Sequence, residues 1–122
     1  MEITIRAQPL FMIEFNGALT RALLECAETH YDPTCKNTAA QGGILKRIEA
    51  SLSNNGEPTV SRGLTWREMD LLRKVCEFPP PGLAQDERNA RDDFFYSAGG
   101  ALQLANEHYD KWIVTFKNHG TL

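Results

Sequence analysis

The chain has no long apolar run, no excess of positive charge and too few cysteines for a disulfide framework. Its longest uninterrupted apolar stretch is Leu10-Phe11-Met12-Ile13, far short of the ~20 residues that cross a bilayer. No membrane association is expected. Thirteen basic residues stand against 16 acidic ones, a net charge of -3, so no overall field draws the chain toward nucleic acid or anionic lipid. Three cysteines form an odd set at irregular spacing, and the N-terminus lacks the basic start and apolar stretch of a secretion signal. Free thiols in a reducing cytoplasm are the expectation. Also missing are a Gly-x4-Gly-Lys-Ser/Thr phosphate loop, Gly-x-Gly-x2-Gly, His-Glu-x2-His and Glu-x2-His. Their absence removes the phosphate-loop, dinucleotide, zinc-protease and di-iron signatures.

What is present is enough for one domain over residues 1–122, since 42% of the chain is apolar and can bury a single modest core. Ile3-Thr4-Ile5 alternates as a strand does, and Phe11, Ile13 and Phe15 place a second strand across a turn containing Pro9, although the same residues equally begin a helix. From Gly17 the positions Leu19, Ala22, Leu23, Cys26, Ala27 and His30 recur at helical steps, opposite Thr20, Arg21, Glu25 and Glu28, and this helix stops before Pro33. Ile44, Leu45, Ile48 and Leu52 form the inner stripe of a second helix that Asn54-Asn55-Gly56 terminates, with Gly42-Gly43 at its start or at a break within it. Thr65 with Glu68 three residues on is a capping box leading into Trp66, Met69, Leu72, Val75 and Cys76. Phe78-Pro79-Pro80-Pro81-Gly82 cannot be helical. The rest reads as one long helix from about Asp86 to Lys117, striped by Phe94, Phe95, Ala98, Leu102, Ala105, Tyr109, Trp112, Ile113 and Phe116. Gly99-Gly100 inside it costs ~1 kcal/mol per glycine relative to alanine, which calls for a kink, a close crossing or a bare backbone surface. The expected fold is mainly α: a compact bundle of about four helices with a long C-terminal helix and an N-terminal strand or hairpin.

Reactive side chains concentrate between Cys26 and Cys35. Cys26 and His30 share a helical face, and Cys35 can fold back after Pro33, so Cys-x3-His-x4-Cys presents three zinc ligands if another helix brings a fourth, such as Cys76 or His108. The same thiols beside His30 could support cysteine nucleophile chemistry. The bland account is that Cys26 packs as a small apolar residue and Asp32-Pro33 starts a turn. His30-Tyr31-Asp32 recurs at His108-Tyr109-Asp110, but a chain of this length produces roughly one tripeptide repeat by chance.

Two resemblances add context. Leu64-Thr65-Trp66-Arg67-Glu68-Met69-Asp70-Leu71-Leu72-Arg73 resembles the first helix of a LuxR-type helix-turn-helix, which implies a DNA-binding regulator. Against that stand the prolines at 79–81 and the acidic start of the helix that follows. Over about fifty residues, His30-Tyr31-Asp32, Cys35-Lys36, Gly42-Gly43, the Thr65-capped helix with Asp70-Leu71-Leu72, and Cys76-Glu77 resemble short uncharacterised proteins of tailed bacteriophages and prophages. That resemblance implies a small accessory protein that binds a host protein, including components of host defence.

The sequence therefore points to a non-catalytic, cytoplasmic protein-binding module without a cofactor, a phage-encoded modulator or inhibitor of a host complex. The alternatives are a small metal-binding or thiol enzyme using Cys26, His30 and Cys35, and a DNA-binding regulator. Candidate partner contacts are Glu87, Arg88, Arg91, Asp92, Asp93 and Tyr96, an alternating charged face on the last helix. Phe94, Phe95, Tyr96 and Trp112 cannot share one core stripe easily, so an aromatic patch for a partner or a homodimer is a further expectation.

Overall fold

Alternating apolar residues at the N-terminus build a hairpin from β1 (Glu2–Arg6) and β2 (Leu10–Asn16), in a register that sets Thr4 opposite Met12 and Ile5 opposite Phe11. There follow α1 (Gly17–Thr29), α2 (Lys36–Asn55), β3 (Thr59–Thr65), α3 (Trp66–Val75), α4 (Gln85–Glu107) and β4 (Ile113–Lys117). The computed structural model describes residues 1–6, 9–56, 58–107 and 113–117. The strands form one antiparallel sheet in the order β3-β2-β1-β4.

This overturns the expectation of a mainly α bundle: the molecule is α+β, with the helices packed on one face of a four-stranded sheet. Ile3, Ile5, Phe11, Ile13, Phe15 and Leu64 point from alternate strand positions into the core, as the period-two geometry of a strand requires. Leu23, Leu45, Ile48, Met69, Leu72 and Phe94 meet them from the four helices.

The expected long C-terminal helix is also corrected. It ends at Glu107, and Ile113–Lys117 returns as a strand beside β1, with Phe116 opposite Ile3. The run Ile113-Val114-Thr115-Phe116 is β-branched and aromatic, which suits a pleated surface, while Ile113 and Phe116 also continue the helical stripe. The free edge of β1 decides between the two. His108, Tyr109, Asp110 and Trp112, with the second copy of the repeated His-Tyr-Asp, lie outside the described residues.

Gly99-Gly100 finds its account in this return. A Cβ on Gly100 would overlap the Phe116 ring, and one on Gly99 would sit 3.1 Å from Arg73 Nε. Gly42-Gly43 neither starts nor breaks a helix, because α2 runs unbroken from Lys36 and stops at Gly56, whose φ of 63° is the left-handed conformation of a helix end. The capping box forms as expected, with the Thr65 hydroxyl accepting from the Glu68 amide and the Glu68 carboxylate accepting from the Thr65 amide. Among the described residues no helix is long and apolar enough to cross a membrane.

Candidate functional site

The cluster between Cys26 and Cys35 does not assemble. Cys26 is fully buried in the core, and burial pushes its thiol up to about 11. His30 is exposed at the end of α1, where the Phe78 carbonyl accepts from its Nε2 at 2.7 Å. Cys35 is the half-buried residue that precedes α2 at its N-cap. Among the described residues, no three His, Cys, Asp or Glu side chains gather into a group able to hold a metal ion. The expected metal set of Cys26, His30 and Cys35 is therefore corrected: the helix turns Cys26 inward while its end carries His30 into solvent. Of the two residues offered as a fourth ligand, His108 lies outside the described residues and Cys76 is buried too, where burial raises it to about 12. Both buried sulfurs stay protonated at neutral pH, the form that is neither nucleophile nor ligand.

What the 30–35 segment builds is a hydrogen-bonded turn. The Asp32 carboxylate accepts from the Thr34 hydroxyl at 2.7 Å and from the Thr34 amide at 2.9 Å, and both bonds hold it below its ordinary value. The Thr38 hydroxyl bonds the Asp32 carbonyl at 2.6 Å. This turn fixes how α1 leads into α2.

The charged face of α4 is mostly committed within the molecule. Glu87, 7% exposed, receives Arg21 at 3.3 Å and the Ala84 amide at 3.2 Å, so it closes the start of its own helix. Arg91, 8% exposed, donates from Nε to the Cys76 carbonyl at 2.6 Å and from Nη2 to the Glu77 carbonyl at 3.0 Å, and so satisfies the end of α3. Glu87 and Arg91 are thus corrected from exposed contacts to buried structural ties. Asp92 pairs with Arg91 at 2.8 Å, and Asp93 with the Met1 amine at 3.0 Å. Arg88 and Tyr96 remain exposed. Of the expected aromatic patch, Phe94 is core and Phe95 is half-buried, with the Arg73 and Arg91 guanidinium carbons each 4.7 Å from its ring centroid. Trp112 lies outside the described residues.

A further concavity lies elsewhere, between α1 and α2. It is a groove of about 780 Å³. The inner stripe of α1, Leu19, Ala22, Leu23 and Cys26, is buried, which turns Leu24, Ala27 and Glu28 toward the groove. From α2 come Ala39, Gly42, Gly43 and Lys46, and Tyr31, 60% exposed, stands at one end. A Cβ placed on Gly42 or on Gly43 meets nothing within 4 Å. Interior helical glycine costs ~1 kcal/mol relative to alanine, and at Gly100 the Phe116 ring explains that cost. At Gly42 and Gly43 no packing inside the molecule does. They leave bare helix backbone on the α2 wall beside Ala39, facing an α1 wall that carries Arg21, Leu24, Glu25 and Glu28 as well as Ala27. The sequence marked Gly42-Gly43 as a helix start or break and set Ala27 on the inner stripe of α1, but nothing in it singled out Ala39 or Lys46. The available signal was a glycine pair inside a continuous helical pattern.

The chain matches no protein-family model, no curated protein and no solved structure. The site is therefore defined by its own geometry.

Proposed function

We propose that this protein is a non-catalytic binding module that docks a helix of a partner protein in the α1–α2 groove. The carrying observation is the Gly42-Gly43 pair, left without side chains and without a packing reason beside an exposed Tyr31. Helix-in-groove recognition lays the apolar face of a helix into a groove, and the bare α2 wall of Ala39, Gly42 and Gly43, opposite Leu24 and Ala27 of α1, leaves room for one. The 13 residues of α1 make a trough about 20 Å long, the span of roughly three to four helical turns. The resemblance to phage proteins supplies the setting: a modulator or inhibitor acting on a protein complex in the host cytoplasm.

The test compares proteins captured from a bacterial lysate by the natural chain and by Gly43→Leu, which fills the groove at an open position. A partner retained by the first and lost by the second, with the two variants equally folded by circular dichroism, supports the assignment. Identical captures, or none above background, overturn it.

A further inference from the structure

The outer edge of β3 is a second place where the molecule offers unsatisfied chemistry. β3 is the last strand on its side of the sheet. In an antiparallel ladder, every second residue turns both its N–H and its C=O away from the partner strand. Along this edge the Thr65 amide is taken up by the Glu68 carboxylate. Among the described residues, no other backbone group lies against the edge of Ser61, Arg62, Gly63 and Leu64. The stretch from Ser61 to Leu64 is thus open to pairing through its outward-facing groups.

One side chain decides what can pair there. Arg62 sits opposite Ile13 in the register with β2, and Ile13 is buried. Arg62 therefore leaves the sheet on its helix-covered side. There it helps to line a recess of about 260 Å³ between the edge and α2, together with Arg47, Ile44 and Glu68. Glu68 is already shared between the Thr65 amide and Arg47, at 3.9 Å. No other carboxylate of the described residues approaches within pairing distance of Arg62 or Arg47. An incoming apolar strand would bury the Arg62 charge without compensation, which is how inward-pointing charges guard sheet edges. A second copy of β3 offers no remedy, since Thr59–Thr65 contains no acid and a pairing centred on Arg62 sets like charges face to face. An acidic strand satisfies both the backbone and the charge.

We propose that the β3 edge binds an extended acidic segment of a partner protein by strand addition, with a carboxylate of that segment on Arg62. The site is independent of the α1–α2 groove: the two share α2 but no lining residue. Either can therefore fail alone.

The experiment uses the whole protein and three fluorescent peptides, each about as long as β3. One alternates valine and glutamate, one alternates valine and lysine, and the third is the acidic peptide with alternate backbone nitrogens methylated. Fluorescence anisotropy at physiological ionic strength should show the acidic peptide binding at least about tenfold tighter than the other two. Arg62→Glu should reverse the order of the acidic and basic peptides. Three results overturn the proposal: methylation without effect, which would mean simple charge attraction; no binding by the acidic peptide; or a dimer of the natural chain that the acidic peptide dissociates, which would give the edge to a second copy. Because the methylated peptide is tested on the natural chain, the decision does not depend on how well the Arg62→Glu variant folds.

Discussion

At the scale of single residues, the glycines separate a structural role from an exposed one. Gly100 lies under the Phe116 ring, so Gly100→Ala must push β4 off α4 or strain the ring. It should destabilise the protein by about 1–3 kcal/mol, read as a lower urea midpoint. Gly42→Ala and Gly43→Ala meet open space, and each should raise stability by up to about 1 kcal/mol through helix propensity. A single substitution type thus takes opposite signs in two helices, and destabilisation by Gly43→Ala would show that its wall is packed after all. The cysteines divide as clearly. Cys26 and Cys76 are buried thiols, whereas Cys35 is partly accessible. Iodoacetamide on the native protein should label Cys35 alone, with Cys26 and Cys76 reacting only after denaturation, as intact-mass spectrometry resolves.

At the scale of elements, helix ends carry much of the specificity. The Thr65–Glu68 box joins β3 directly to α3, so Thr65→Ala should cost about 1 kcal/mol without changing the slope of the denaturant transition. At the other end of α3, Arg91 reaches back from α4 to two carbonyls. Arg91→Met keeps much of the side-chain volume but orphans the buried Cys76 carbonyl, and should cost about 2–4 kcal/mol, again in the urea midpoint. The capping box was legible because it is a local exchange of hydrogen bonds between residues three apart. The Arg91 tie was not, because its partners lie in another element. The period-two pattern of Ile3, Ile5, Phe11, Ile13 and Phe15 fitted a hairpin and a helix start equally, and the pairing of β1 with β2 decided it. In β3 the same pattern is interrupted by Arg62 at an inward position and Gly63 beside it, so that strand left no apolar alternation to read.

At the scale of the whole molecule, the buried thiols tie stability to pH. Burial raises Cys26 from 9.0 to about 11 and Cys76 from 9.0 to about 12. The folded state then holds two protons that the unfolded chain releases first. Their contribution is complete below pH 9.0 and is lost progressively as the pH rises through about 11 and about 12. Urea midpoints measured upward from neutral pH should fall across that window, and the fall should be shallower in a Cys26→Ala, Cys76→Ala double variant. The two candidate surfaces are also properties of the whole. The groove exists because α1 and α2 each commit one face to the core and leave the other flank open, and the edge exists because the sheet ends at β3. Only the glycine pair hinted at the first. Nothing local to Arg62 marked the second, since an arginine between Ser61 and Gly63 reads as an ordinary polar residue until the register fixes its face.

The sequence by itself determined what depends on neighbours along the chain: the turn at Pro9, the start of α1 at Gly17, the stop at Gly56, the Thr65 cap and the breaks at Pro79 to Pro81. These rest on backbone dihedrals and hydrogen bonds within a few residues. Only the tertiary structure decided that Ile113–Lys117 is a strand, that Cys26 and His30 point apart, that Glu87 and Arg91 are interior ties, and that Arg62 faces a recess. Each of those outcomes depends on a partner distant in sequence. Burial against that partner, or pairing with a free strand edge, outweighs a local preference worth only a fraction of a kcal/mol per residue.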